Sequence, residues 1–245
     1  MPSALSIKLG DFLYKNAFPV YNLIYPIFKK NQDKHEIALL NKYIKKGDVV
    51  LDIGANIGFY TKILSKLVGE TGKIYAFEPD KKNFSHLQKN AGDLTNVDLI
   101  NKAVSDKTGT ITLYQSDLLN VDHKTYETAD FTSKTEIDCV AMDDIIPNHK
   151  VDFIKIDIQG FEYFAFQGMK EIVSKNENLK IISEFFPYGI NNSGISNLDF
   201  LNLFWGKNYN IFIDENSTQH LLEEKDLQKY ENLSRDFYYN IFIKK

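Results

Sequence analysis

The run Val49-Val50-Leu51-Asp52-Ile53, closed by Gly54, constrains this chain more than any other feature. A strand apolar at nearly every position is buried on both faces, which happens almost only in parallel sheets covered by helices. Phe59, Ile63, Leu64 and Leu67 then recur at helical spacing and stop at the turn residues Gly69 and Gly72. A second strand is predicted over 73–78, a helix over 83–91 and a third strand over 97–101, after the turn residue Asn96. Upstream, Ile37, Leu40 and Ile44 predict a helix over 35–46, stopped by Gly47. Strictly alternating helices and strands of this kind build a parallel sheet with right-handed crossovers and helices on both faces.

The alternation pauses after residue 101. Two further strands are predicted over 110–114 and 136–141, separated by the polar stretch from Ser116 to Lys134, which contains His123. Loops beyond about 12 to 15 residues in compact domains are usually functional, so a substrate-side excursion is expected there. The pattern resumes with a strand over 153–157, a helix over 163–173, a strand over 180–185 and a helix over 198–205. Strands over 209–214 and 237–243 should then pair antiparallel, completing a seven-stranded mixed sheet. Residues 35–245 thus read as one α/β domain behind an extension of residues 1–34.

That extension is apolar from Leu5 to Phe28 but is interrupted by Lys8, Asp11, Lys15, Pro19 and Pro26, which argues against a signal peptide or a membrane span. It is dense in aromatic residues: Phe12, Tyr14, Phe18, Tyr21, Tyr25 and Phe28. A helical flap packed on the domain or covering its ligand is the expected form, and a peripheral membrane or partner contact is the alternative.

Composition narrows the partners. With 33 acidic against 29 basic residues and a formal charge of −4, the chain lacks the basic excess that binding to a phosphate backbone needs, so nucleic acid is not the expected partner. Arg235 is the one arginine and Cys139 the one cysteine. An internal disulfide is therefore impossible, and a reducing, cytoplasmic setting is the default expectation. The five histidines show no metal-ligand spacing, and no metal is expected.

In open α/β sheets, ligands bind at the carboxyl ends of the strands. The first strand ends in Asp52 and the turn Gly54-Ala55-Asn56-Ile57-Gly58, a Gly-x-x-x-Gly spacing that does not match the Gly-x-Gly-x-x-Gly of pyrophosphate-binding dehydrogenases. The second strand ends in Glu78, 20 residues beyond Gly58, where an acid can accept hydrogen bonds from a ribose diol. Two carboxylates around one pocket repel a phosphate-rich ligand and suit one with a ribose and a positive charge, such as S-adenosylmethionine.

Val50-Leu51-Asp52-Ile53-Gly54-Ala55-Asn56-Ile57-Gly58-Phe59-Tyr60 and Ala76-Phe77-Glu78-Pro79 together resemble the FkbM-type methyltransferases. So do Lys102 to Asp106, the segment from Phe153 to Glu162, Gly168-Met169 and Ile182-Ser183-Glu184. The resemblance spans about residues 35 to 215 in consistent order. It implies a class I, Rossmann-like methyltransferase fold that moves a methyl group from S-adenosylmethionine, usually to a hydroxyl oxygen of a sugar, glycan or natural product. Carried across residue by residue, Asp52, Gly54, Asn56 and Gly58 would contact the methionyl part, Glu78 the ribose, and Asn101 and Ala103 the surroundings of the adenine.

One position departs from the family pattern. Gln159 stands where an acid is usual, and it cannot act as a base. By the period of two, Lys155, Asp157 and Gln159 share one side of the fourth strand. Asp157 is then the first candidate base and Glu184 the second, with Lys155 as charge partner and Gln159 orienting an acceptor hydroxyl. N-methylation, and a degenerate cofactor-binding scaffold without activity, are the alternative readings.

Overall fold

The structure, a computed structural model, describes residues 4–115, 133–215, 218–231, 233–234 and 237–245. Three helices come first: α1 (Ala4–Asn16), α2 (Phe18–Gln32) and α3 (Lys34–Tyr43). The alternation then runs β1 (Val49–Ile53), α4 (Phe59–Val68), β2 (Lys73–Phe77), α5 (Lys81–Ala91) and β3 (Val97–Ile100). Next come β4 (Ala103–Val104), β5 (Gly109–Gln115), β6 (Ser133–Val140) and α6 (Met142–Ile145). The second half holds β7 (Phe153–Ile156), α7 (Glu162–Gln167), α8 (Lys170–Lys175), β8 (Lys180–Phe185), α9 (Pro187–Asn192), α10 (Asn197–Trp205), β9 (Asn210–Glu215), β10 (Thr218–Leu221) and β11 (Tyr239–Lys244).

The main sheet has the order β10-β9-β11-β8-β7-β1-β2-β3. The strands β8, β7, β1, β2 and β3 are mutually parallel. Between β8 and β9 lies β11, antiparallel to both. Leu51, in the centre, faces Tyr75 on one side and Ile154 on the other.

Because side chains alternate along a strand, the sheet sorts its apolar residues into two cores. Leu51, Ile53, Ile154, Ile156 and Ile181 pack with Phe166, Ile172, Phe200 and Phe204 of the second-half helices. Val50, Phe153, Ile74, Ala76 and Ile182 pack on the other face with Leu40, Leu64 and Leu87 of α3, α4 and α5. The same rule sends Asp52 and Lys155 to this second face, beneath α4. Polar side chains are thereby placed inside an apolar layer.

Three features differ from the sequence-based expectation. Among the described residues the main sheet has eight strands, not seven, because β9 pairs antiparallel with the following β10. Gln219 and His220 make β10 too polar and short to register as a strand, and at the sheet edge it needs no second apolar face. The strands after residue 101 form a separate three-stranded sheet, β4-β6-β5, edged by the two-residue β4, which carries no pattern of its own. The helix predicted over 163–173 is two helices broken at Gly168 and Met169. There a Cβ on Gly168 would stand 1.9 Å from the Ser105 carbonyl oxygen, so the chain turns where it meets the small sheet. Most of the predicted excursion from Ser116, including His123, lies outside the described residues; its last two residues, Ser133 and Lys134, begin β6.

Candidate active site

The carboxyl ends of β1, β2 and β7 converge on the turn Gly54–Gly58. Gly54 has φ +83, and a Cβ there would lie 2.0 Å from the Asp157 carbonyl oxygen. Only glycine fits both the left-handed backbone and the close approach. The N–H groups of Gly54 and Ala55 donate to the Phe77 carbonyl at 3.0 and 2.9 Å, and the Asp157 N–H donates to Ile53 at 3.0 Å. The turn is thus bonded to β2 and β7 at once. At its far end Gly58, φ +89, begins α4, and a Cβ there would press to 2.8 Å on Leu87 of α5. Between the glycines Asn56 holds a left-handed φ of 51 and accepts from the Ile57 N–H through its own side chain at 2.7 Å.

Glu78 closes this turn from the β2 side. One carboxylate oxygen accepts from the Asn56 N–H at 2.8 Å and the other from the Asp80 N–H at 2.9 Å. Burial dominates those hydrogen bonds and pushes the carboxyl up to about 8. Asn101 donates to the carbonyls of Glu78 and Pro79 at 2.8 and 3.1 Å, steadying the segment after β2. Ala103 sits in β4, buried beside Ile137 and Cys139 of the small sheet.

Asp52 is fully buried. One oxygen accepts from the Thr61 hydroxyl at 2.6 Å, tying β1 to α4, and the other is buried with no partner. Burial raises its carboxyl, against the opposing charge of Lys155. Lys155 is itself only 3% exposed, with its ammonium 3.9 Å from Asp157 and 4.3 Å from the Tyr60 ring centre. Burial works against its charge, but Asp157, Glu36 and Asp52 outweigh it and raise its pKa.

Asp157 follows β7, with its side chain 41% exposed. Gln159 donates to it at 3.1 Å. The two meet through a turn and not across a pleat: β7 ends at Ile156, and Gln159 and Gly160 have φ of 58 and 93. A Cβ on Gly160 would fall 2.7 Å from the backbone of Gly189, which fixes this turn against α9. Glu162, at the start of α7, secures it by accepting from the Ile158 N–H at 3.0 Å, and burial lifts its carboxyl to about 7. On β8, Glu184 is buried with one unpartnered oxygen. Burial and the charges of Asp157 and Glu162 push it well above the usual carboxylate range.

The site therefore gathers the residues expected for a base, Asp157 and Glu184, beside the glycine turn, with Lys155 and Gln159 on Asp157. Asp52 lies beneath α4 and Ala103 in the second sheet. Sequence reasoning passed over Glu162, although an acid directly after the Gln159-Gly160-Phe161 turn was a signal for a turn-securing carboxylate. In the extension it named Tyr25 as part of an expected flap but passed over Asn22, Lys29 and Asp33. Asn22 of α2 exchanges amide hydrogen bonds with Asn90 at 2.8 and 2.9 Å, and Asn90 in turn donates to the Ile57 carbonyl at 2.8 Å. Tyr25 lies edge-on to Phe59 at 6.0 Å, and burial together with the charges of Asp33 and Asp157 raises its phenol. Tyr60 donates to Asp33 at 2.5 Å, and Lys29 pairs with Asp33 at 2.7 Å. Tyr238, just before β11, is likewise raised by burial and by Glu184.

Comparison with known proteins identifies the family. A model of the FkbM methyltransferase domain matches residues 52–220, from Asp52 into β10 and over more than half of the chain. This chain belongs to the FkbM methyltransferase family. A protein assigned as a cobalt-precorrin-6B C(15)-methyltransferase in Saccharolobus solfataricus is 42% identical over 67 residues, 26% of this chain and 34% of that relative, so the chain spans about a third of its length. Among solved structures, a protein of Clostridium thermocellum assigned as an rRNA methylase has a TM-score of 0.54 at 17% identity, with 87% of this chain and 94% of that one covered. A protein of Streptococcus mutans assigned as a methyltransferase, in complex with SAH, has a TM-score of 0.52 at 11% identity, with 87% and 96% covered. The FkbM-type chain has the class I fold of S-adenosylmethionine-dependent methyltransferases, with one extra edge strand.

Proposed function

We propose that this protein is an S-adenosylmethionine-dependent methyltransferase that methylates a hydroxyl oxygen of a sugar, glycan or small natural product, with Asp157 taking the proton. The observation that carries this reading is the contrast in access among the strand-end acids. Asp52, Glu78, Glu162 and Glu184 are all at most 8% exposed, whereas the Asp157 side chain is 41% exposed and its backbone abuts Gly54. An acceptor arriving from solvent meets this carboxylate beside the cofactor turn.

The residues present fit the cofactor. Glu78 faces the turn at Asn56 and would hold the ribose, and the bare oxygen of Asp52 would suit an ammonium group, while the missing Cβ of Gly54 lets the turn pack directly on the Asp157 backbone. Asp52, Gly54, Asn56 and Gly58 would line the methionyl part, with Asn101 and Ala103 toward the adenine. When bound, S-adenosylmethionine supplies the methyl group on a cationic sulfur. The protein's own task is to orient an alcohol and accept its proton, and a well-placed carboxylate contributes about 10²–10⁴-fold to such a step. Gln159 holds one Asp157 oxygen in place, while Lys155 sets a cation behind the other. Glu184 is the second candidate base, buried on the neighbouring strand end with its carboxyl raised by burial and by the charge of Asp157. Residues 35–245 form the catalytic domain in this reading, and α1 and α2 cover it.

The acidic balance of the chain favours a sugar hydroxyl over RNA. Transfer of a labelled methyl group to a panel of saccharides, small amines and ribosomal RNA tests the reading. Label on a sugar oxygen supports it. Label on amines or RNA alone, or none at all despite cofactor binding, overturns it.

A further inference from the structure

The helix that covers the cofactor turn has a second face. Its inner side carries Phe18, stacked on His86, Asn22, bonded to Asn90, and Tyr25, against Phe59. On the opposite side Val20, Leu23, Ile24 and Ile27 recur at helical spacing, and all are exposed, Leu23 by 75% and Ile27 by 72%. On α1, Phe12 is 59% exposed. Apolar side chains gathered on one outward helical face mark an interaction surface, not ordinary scatter.

Charge selects the occupant. Exposed Lys8 and Lys15 flank Phe12 on the same side of α1, and exposed Lys30 borders the α2 stripe. Residues 1–34 hold five lysines against two aspartates, a net +3 in a chain whose total is −4. An apolar stripe edged by lysines complements an anionic lipid surface, with the apolar side chains entering the headgroup boundary and the ammonium groups meeting lipid phosphates. A second copy of the chain would instead bring the same lysines together. The element lies on a bilayer and does not cross it. No helix among the described residues is long and apolar enough to span, and the 15 residues of α2 reach about 22 Å against a hydrocarbon core of about 30 Å.

We propose that α1 and α2 form a docking element for an anionic membrane surface, seated through the outward face of α2. Docking in this way brings the carboxyl ends of the strands within about one helix diameter, roughly 10 Å, of the lipid headgroups, because the inner face of α2 rests on the cofactor turn. Acceptors anchored in the bilayer or carried at its surface would then meet the site. The surface stands on its own observations and does not depend on which hydroxyl is methylated.

Co-sedimentation of the full chain with vesicles of phosphatidylcholine, alone or mixed with phosphatidylglycerol, tests it. The intact protein should partition onto the mixed vesicles at least about tenfold more strongly than onto the neutral ones. Leu23→Ser with Ile27→Ser should reduce that partition by about tenfold or more, and Lys8→Gln with Lys30→Gln should erase the preference for anionic lipid. Melting temperature and cofactor binding, both unaltered in these surface variants, control for folding. Equal sedimentation of wild type and the Leu23/Ile27 variant overturns the proposal, as does equal affinity for both vesicle types. A fall in mass by sedimentation velocity on the Leu23/Ile27 change, without vesicle binding by the wild type, also overturns it and assigns the face to contact between copies.

Discussion

Two stretches of the sheet's carboxyl edge treat their acids in opposite ways. At the β2 end both oxygens of Glu78 accept backbone N–H groups, and the turn they brace is bonded to two strands. At the β7–β8 end Glu162 and Glu184 each leave one buried oxygen without a partner, while Asp157 reaches solvent. In the first region each carboxylate oxygen already has a backbone partner. The second holds buried hydrogen-bonding capacity unused, with like charges crowded together, which costs stability.

The sharpest way to break this contrast is at its hinge. Gly54→Ala forces a side chain into the Asp157 carbonyl on a left-handed backbone, and should cost about 3 kcal/mol or more and abolish cofactor binding. Thermal unfolding near the wild-type temperature would show that the turn is not closed against β7. Asp157→Asn should separate the two regions functionally. Turnover falls by about 10²–10⁴-fold while cofactor affinity by isothermal titration stays unchanged, and an undiminished rate removes Asp157 as the base.

Glu162→Gln addresses the second region itself. The folded carboxyl, raised by burial from the unfolded 4.5 to about 7, keeps a proton that the unfolded chain has released. Its contribution to stability is therefore intact below about pH 4.5, declines as pH rises, and is fully lost above about pH 7. The decline amounts to roughly 3 kcal/mol. Urea midpoints at pH 5 and pH 8 should differ less in the variant than in the wild type, and an equal difference would place the pH dependence elsewhere. The smallest effect concerns how firmly the extension is tied to the first region. Asn22→Ala removes the paired amide bonds to Asn90, should cost about 1 kcal/mol, and should speed hydrogen exchange in α2.

The glycine turn was legible in the sequence because it is local. Asp52, Gly54, Gly58 and Glu78 lie within one strand-helix-strand unit, and a strict strand period fixes where each must fall. The parallel centre of the sheet was legible for the same reason, as was the antiparallel pairing of β9 with β11. Elements without their own pattern were not legible. Two-residue β4, edge strand β10 and the break at Gly168 exist because of what they touch. The relation of Gln159 to Asp157 followed a turn that the period of two could not foresee.

By itself, then, the order of residues determined the alternating α/β class, the glycine turn that leads from β1 into α4, and which acids stand at strand ends, since all of these follow from short-range periodicity and backbone sterics. The tertiary structure decided which of those acids is buried bare, which is braced and which meets solvent, and it laid α2 across the turn with an apolar face outward. Desolvation and charge coupling depend on neighbours brought from Asn22, Glu36, Asp157 and Glu184 together, and no local pattern encodes the distance between residues so far apart along the chain.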